Sequence, residues 1–165
     1  MKSLIVLTVA CFVGFTACTT TDAPESSAEI LTMDKLTKTP GYSWFVAEMS
    51  TYSPDSTVIS EISTSMSAST DRKVCIFVKP SCSCRGTQRL FPQVVKTLVA
   101  ANVDMSRVEI WSMRSESDKQ PYQPTITLTH LPAIYILDKG AVRSVVSDLD
   151  YTDTNADSLI AKAVK

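Results

Sequence analysis

The stretch 74-VCIFVKPSCSCRGTQRLFP-92 decides how the rest of the chain is read. Val74 to Val78 is a continuous apolar run rich in β-branched residues, and a run of that length without polar alternation predicts a buried central strand. Cys82 and Cys84 follow, one serine apart. Behind them Leu90, Val94, Val95, Leu98 and Val99 fall on one helical stripe that continues to about Ala101. Pro92 lies inside this helix, where a missing N–H and a clash with the preceding turn predict a kink. The stretch therefore delivers thiols from a strand to the start of a helix.

On the N-terminal side, Ile30 to Lys38 predicts a short helix that ends at Thr39-Pro40-Gly41. Tyr42 to Tyr52 mixes aromatic and β-branched residues in partial alternation and is compatible with an edge strand or a helix start. Ser53-Pro54-Asp55 has the form of a helix opening, with Ser53 as N-cap and Pro54 at the first helical position. Val58, Ile59, Ile62 and Met66 then recur at helical spacing to about Ala68. On the C-terminal side, Val108 to Met113 predicts a second buried strand, and Arg114 to Pro124 a polar loop forming a rim over the site. Ile134 to Leu137 and Ala141 to Val146 predict a hairpin around Asp138-Lys139-Gly140. Asp157 to Val164 predicts a closing helix. A strand-helix-strand crossover followed by an antiparallel hairpin describes an α/β fold with a mixed sheet.

The chain has 165 residues, 44% of them hydrophobic and 20% charged, enough for one domain with a real core. A net charge of -1 without a Lys/Arg cluster argues against a nucleic-acid surface. The start differs in material. Met1-Lys2 is a short basic opening, Leu4 to Phe15 is apolar but too short for a permanent membrane span, and Ala17-Cys18 closes it. This segment resembles a bacterial lipoprotein signal, with residues 1–17 removed and Cys18 lipid-modified. The resemblance implies a membrane-anchored protein facing the periplasm, at the outer membrane rather than the inner. Residues 18–29, rich in Ser and Thr, are expected to form a flexible tether to a domain spanning 30–165. In an oxidising compartment the domain would hold Cys75, Cys82 and Cys84, an odd number that leaves at least one free thiol.

Three features together resemble the thioredoxin-like superfamily. One is the order strand, cysteine, helix. Another is Pro92, eight residues after Cys84, similar to the proline that kinks the family's active-site helix. The last is 131-LPAIYILDKG-140, which looks like the family's cis-proline and following hairpin. The resemblance covers Val74 to Lys165 and implies a three-layer sandwich, a mixed central sheet of four to five strands with helices on both faces. Counting back from Pro92 makes Cys84 the nucleophile, with Thr87 where a dithiol enzyme has its resolving cysteine. Counting forward from the strand would make it Cys82; the helix proline is the stricter landmark. The family's buried acidic residue has no counterpart here, since Ile76 or Val78 takes its place.

The residues support a reactive thiol at Cys84. A helix N-terminus offers unpaired N–H groups and a positive dipole end, and Arg85 and Arg89 can add positive charge. Thr87, one turn on, can donate its hydroxyl to the sulfur. Cys82 is within reach as resolving partner, in a small ring. The reading is therefore a thiol–disulfide oxidoreductase without cofactor, acting on protein thiols or disulfides, with Leu131 and Pro132 binding substrate backbone. The alternative is a redox-inert module that binds a partner in the groove beside Pro132. Two thiolates one residue apart need further metal ligands, and His130 is the only histidine, so no metal site is expected. Cys75 reads as a packed core thiol, and His130 as an exposed strand-end residue with an acid–base role as its other reading.

Overall fold

A computed structural model describes residues 27–165. The expected signal peptide, the lipid site at Cys18 and most of the tether lie outside these residues. Five strands form one sheet in the order β1-β3-β2-β4-β5, where β1 is Glu29–Leu31, β2 Lys73–Val78, β3 Val108–Ser112, β4 Ala133–Asp138 and β5 Ala141–Val146. β2 is central: it runs parallel to β3 and antiparallel to β4, with Ile76 opposite both Ile110 and Ile134. β1 joins β3 antiparallel at one edge, and the β4–β5 hairpin forms the other. Lys139 and Gly140 both take positive φ, at 54° and 80°, the twist a two-residue hairpin turn requires. The expected α/β class with a mixed sheet is present.

The helices are α1 (Met33–Lys38), α2 (Phe45–Thr51), α3 (Ser56–Ser67), α4 (Phe91–Ala100) and α5 (Ala156–Val164). Successive residues of a strand point to opposite faces, and β2 shows what each face meets. Val74, Ile76 and Val78 share one core with Leu36 of α1, Phe45 of α2, Ile62 and Met66 of α3, Phe91, Val94 and Leu98 of α4, and Ile160 and Val164 of α5. Cys75 and Phe77 point the other way, into a second cluster with Met113, Ile126, Leu128, Ala133 and Leu137. All five helices thus contribute to the first core, and the second face is covered by the irregular segment 113–131. This corrects the expectation of helices on both faces. It also corrects the reading of Arg114 to Pro124 as a rim, because the segment is spent on covering the sheet.

That cover is held by polar contacts in place of helical hydrogen bonds. Asp118 accepts from the Arg114 N–H at 2.7 Å and from the Ser115 hydroxyl at 2.9 Å. Gln120 donates to the Ile126 carbonyl and accepts from the Tyr122 N–H, and Ala28 donates to the Lys119 carbonyl. An irregular segment can lie on a sheet only if its backbone polar groups find such partners.

Three local readings change. Glu29, placed at the end of the tether, opens β1, and the helix expected from Ile30 starts at Met33, where the Thr32 hydroxyl accepts from the Lys35 N–H. Tyr42 to Tyr52, open between strand and helix, is mostly helical: the 3-10 segment Pro40–Tyr42 leads into α2, Tyr42 and Phe45, three apart, both turn inward, and Tyr52 ends the helix in extended backbone. The N-cap of α3 is Asp55, not Ser53: its carboxylate accepts from the N–H groups of Thr57 and Val58 at 2.8 and 3.1 Å, a charged acceptor outcompeting a hydroxyl two residues earlier.

Candidate thiol site

β2 ends at Val78, and the chain turns through Ser81, whose φ is 56° and whose N–H donates to the Gly41 carbonyl at 2.9 Å. This contact ties the turn to the 3-10 segment Pro40–Tyr42 and sets where the next residues emerge. Helical hydrogen bonding starts at Cys84, whose carbonyl accepts from the Gln88 N–H at 3.0 Å. The first turn is wide: Gly86–Leu90 is a π-helix, and the Phe91 N–H donates back five residues to the Gly86 carbonyl. Pro92 follows directly, so the helix meets its proline with a widened turn where a kink was expected. A π-turn redistributes carbonyls so that the one proline cannot serve is not stranded.

Cys82 and Cys84 are bonded to each other, with Cα atoms 5.3 Å apart. Both are half-buried, between exposed Ser81, Ser83 and Arg85. The Cys84 N–H points at Sγ of Cys82 at 3.2 Å. Sγ of Cys84 lies 3.1 Å from Oγ1 of Thr87; a disulfide sulfur carries no proton, so the hydroxyl is the donor. Thr87 is fully buried and can aim its hydroxyl nowhere in water. The structure thus brings Cys82, Cys84 and Thr87 together.

Gly86 joins this turn to the rest of the site. A Cβ there would stand 2.7 Å from Cγ of Pro132 and 2.9 Å from Cβ of Asp148, so only glycine permits the approach. The Leu131–Pro132 peptide is cis, and Pro132 is buried against the helix start. Leu131 is half-buried on the loop-covered face. Asp148, in the 3-10 turn Asp148–Asp150 after β5, places Oδ1 3.9 Å from Nε2 of His130.

Arg85 and Arg89 do not turn to the sulfurs as expected. Both pair with Asp153, at 2.8 and 3.4 Å, and Arg85 also donates to the Tyr151 carbonyl and stacks over the Tyr151 ring at 5.0 Å. Burial, reinforced by the Asp153 charge, pushes the Tyr151 hydroxyl up to about 12, so it stays neutral. The helix end and Thr87 therefore remain as the local support for negative charge on Cys84.

Among the described residues Cys75 is the free thiol, and it is fully buried, as read from the strand. Burial pushes it up to about 11, with the neighbouring Tyr122 hydroxyl acting the other way. Its neighbour across the sheet is Glu109, which accepts from Lys73 at 3.0 Å, from Trp111 at 3.1 Å and from the Tyr122 hydroxyl. Burial alone would raise the Glu109 carboxyl, but these donors outweigh it and hold the carboxyl below its usual range.

Gly86 was legible as a glycine inside a helical pattern. Asp148 and Asp153 were not, because nothing local marks a residue that meets the site from more than sixty positions away. Among the described residues no group of three or more His, Cys, Asp or Glu is arranged for a metal ion, and no helix is long and apolar enough to cross a membrane. No family model, curated protein or solved structure matches the chain.

Proposed function

We propose that this protein is a thioredoxin-like thiol–disulfide oxidoreductase, tethered through lipid on Cys18 to a membrane and working on its periplasmic face. The observation that carries this reading is the Cys82–Cys84 bond at the first turn of the helix, half exposed, with a buried hydroxyl donating to Sγ of Cys84. A purely structural crosslink joining residues two apart constrains almost no chain entropy, so stability gives little reason for the bond to exist. The strand order around β2 and the packing of Gly86 on cis Pro132 support the same reading.

In the oxidised state a thiolate of the partner protein attacks Sγ of Cys84. The Cys82–Cys84 bond breaks, a mixed disulfide forms, and Cys82 leaves as thiolate and takes a proton from solvent. A second partner thiolate then attacks its own sulfur in the mixed disulfide and releases the Cys84 thiolate, stabilised by Thr87 and the helix end. The partner loses two electrons and the pair gains them; the reverse sequence reduces a partner disulfide, with Cys82 resolving the intermediate. Pro132, packed on Gly86 two residues after Cys84, and Leu131 before it would offer the edge against which a partner backbone lies.

The full chain equilibrated in graded reduced and oxidised glutathione, quenched by alkylation and read by intact mass, tests the reading. The expected result is one two-electron transition assigned to Cys82 and Cys84. A pair that keeps one state at every potential sinks the oxidoreductase and leaves a redox-inert binding module.

A further inference from the structure

His130 and Asp148 form a pair that the exchange steps do not use. Nε2 of His130 is shielded from solvent, has no hydrogen-bond partner and stands 3.9 Å from Oδ1 of Asp148; Nδ1 is 3.1 Å from the Thr129 hydroxyl. The pair reaches the thiol helix at its first turn, because Cβ of Asp148 packs on Gly86, two residues after Cys84. The other charges around this turn are engaged elsewhere: Arg85 and Arg89 both point to Asp153.

We infer that His130 and Asp148 are positioning residues that set how readily Cys84 carries negative charge, Asp148 opposing the thiolate and His130 cancelling that opposition when protonated. The inference rests on the proposed thiol exchange. A carboxylate beside the first helical turn competes with a thiolate for the same N–H groups and dipole end. A like charge near a protein surface shifts an ionisation equilibrium against the second charge, and the more so the nearer it stands. Histidine is the residue type that changes charge in the neutral range, so a partner of this kind makes the opposition depend on pH. Unlike an acid–base catalyst, the pair acts through the field at the sulfur and accepts no proton from it.

The test is the rate at which neutral iodoacetamide alkylates Cys84 in the reduced full chain carrying Cys82→Ser, followed from pH 5 to 9 by peptide mass. In this step the Cys84 thiolate displaces iodide and forms one S–C bond, so the rate reports the thiolate fraction. Asp148→Asn is expected to speed alkylation by about three- to tenfold between pH 7 and 8, where a neutral histidine leaves the carboxylate unopposed. His130→Gln is expected to slow it by a similar factor toward pH 5, where a histidine carries charge, and to leave it unchanged toward pH 9. Profiles that both variants leave unmoved, or that move in the opposite directions, overturn the inference. If Cys84 resists alkylation at every pH in the parent chain, the proposed exchange fails first; if it reacts but ignores the pair, only this inference fails.

Discussion

The two faces of β2 are built from the same six residues and solved in opposite ways. Val74, Ile76 and Val78 meet helices whose backbone polar groups are satisfied within each helix, so that cover needs no side chains to hold its backbone in place. Cys75 and Phe77 meet an irregular segment that must find partners for its own backbone, and a half-buried polar cluster of Glu109, Tyr122 and Trp111, reached by exposed Lys73, comes with it. The contrast explains where the thiol site can be. The helix-covered face carries α4 and, ahead of it, the π-helical turn where Cys84 meets Thr87, while the loop-covered face ends at Leu131 and passes Pro132 to the same place.

Substitutions that open the helix-covered core should be the most costly. Phe91→Ala, which empties a ring packed on Phe45 at 5.0 Å, is expected to cost about 4 kcal/mol in chemical denaturation. Phe77→Ala, on the other face, should cost about 3 kcal/mol, because an irregular cover can collapse into the space more easily than a helix can. Equal or reversed costs would break the distinction between the faces. Gly86→Ala presses a methyl into Pro132 and Asp148 and should cost about 2 kcal/mol, with slower disulfide exchange as the first turn moves away from Pro132.

Strands β2 to β5 were readable as short apolar runs and a hairpin turn, and α3 and α4 from their apolar stripes. The second cover was not. Segment 113–131 has no periodicity to betray burial, and Ile126 and Leu128 look like isolated apolar residues in a polar stretch until Asp118 and Gln120 are seen holding the backbone in place. The same division holds at the site. Cys84, Cys82 and Thr87 sit within five residues of one another, and Gly86 marks a close approach by its lack of a side chain. Asp153, which draws Arg85 and Arg89 from the sulfurs, comes from a distant turn and leaves no trace near residue 84.

Burial of Cys75 also makes the loop-covered face sensitive to alkaline pH. The folded Cys75 thiol is raised to about 11, against about 9 unfolded. Its contribution is therefore complete below pH 9 and is lost as pH rises through 11, about 3 kcal/mol in all. Cys75→Ala should flatten that part of the stability profile relative to the parent chain in denaturant titrations at pH 8 and pH 10.5; matching profiles would show that burial of this thiol is not linked to folding. Smallest is Tyr122→Phe, which removes one of the donors to Glu109 and should cost about 1 kcal/mol. Hydrogen exchange localised to 113–131, with the helix-covered face unchanged, would place that loss in the cover.

The central claim is that the helix-end sulfur, Cys84, is the one that takes part in exchange. It is tested most directly by incubating the Cys82→Ser and Cys84→Ser full chains with a peptide disulfide and reading adducts by mass. The account predicts a stable mixed disulfide on Cys84 in the first chain and at least tenfold slower adduct formation on Cys82 in the second, since only Cys84 has the Thr87 hydroxyl. Faster capture at Cys82, or none at either sulfur, would contradict it.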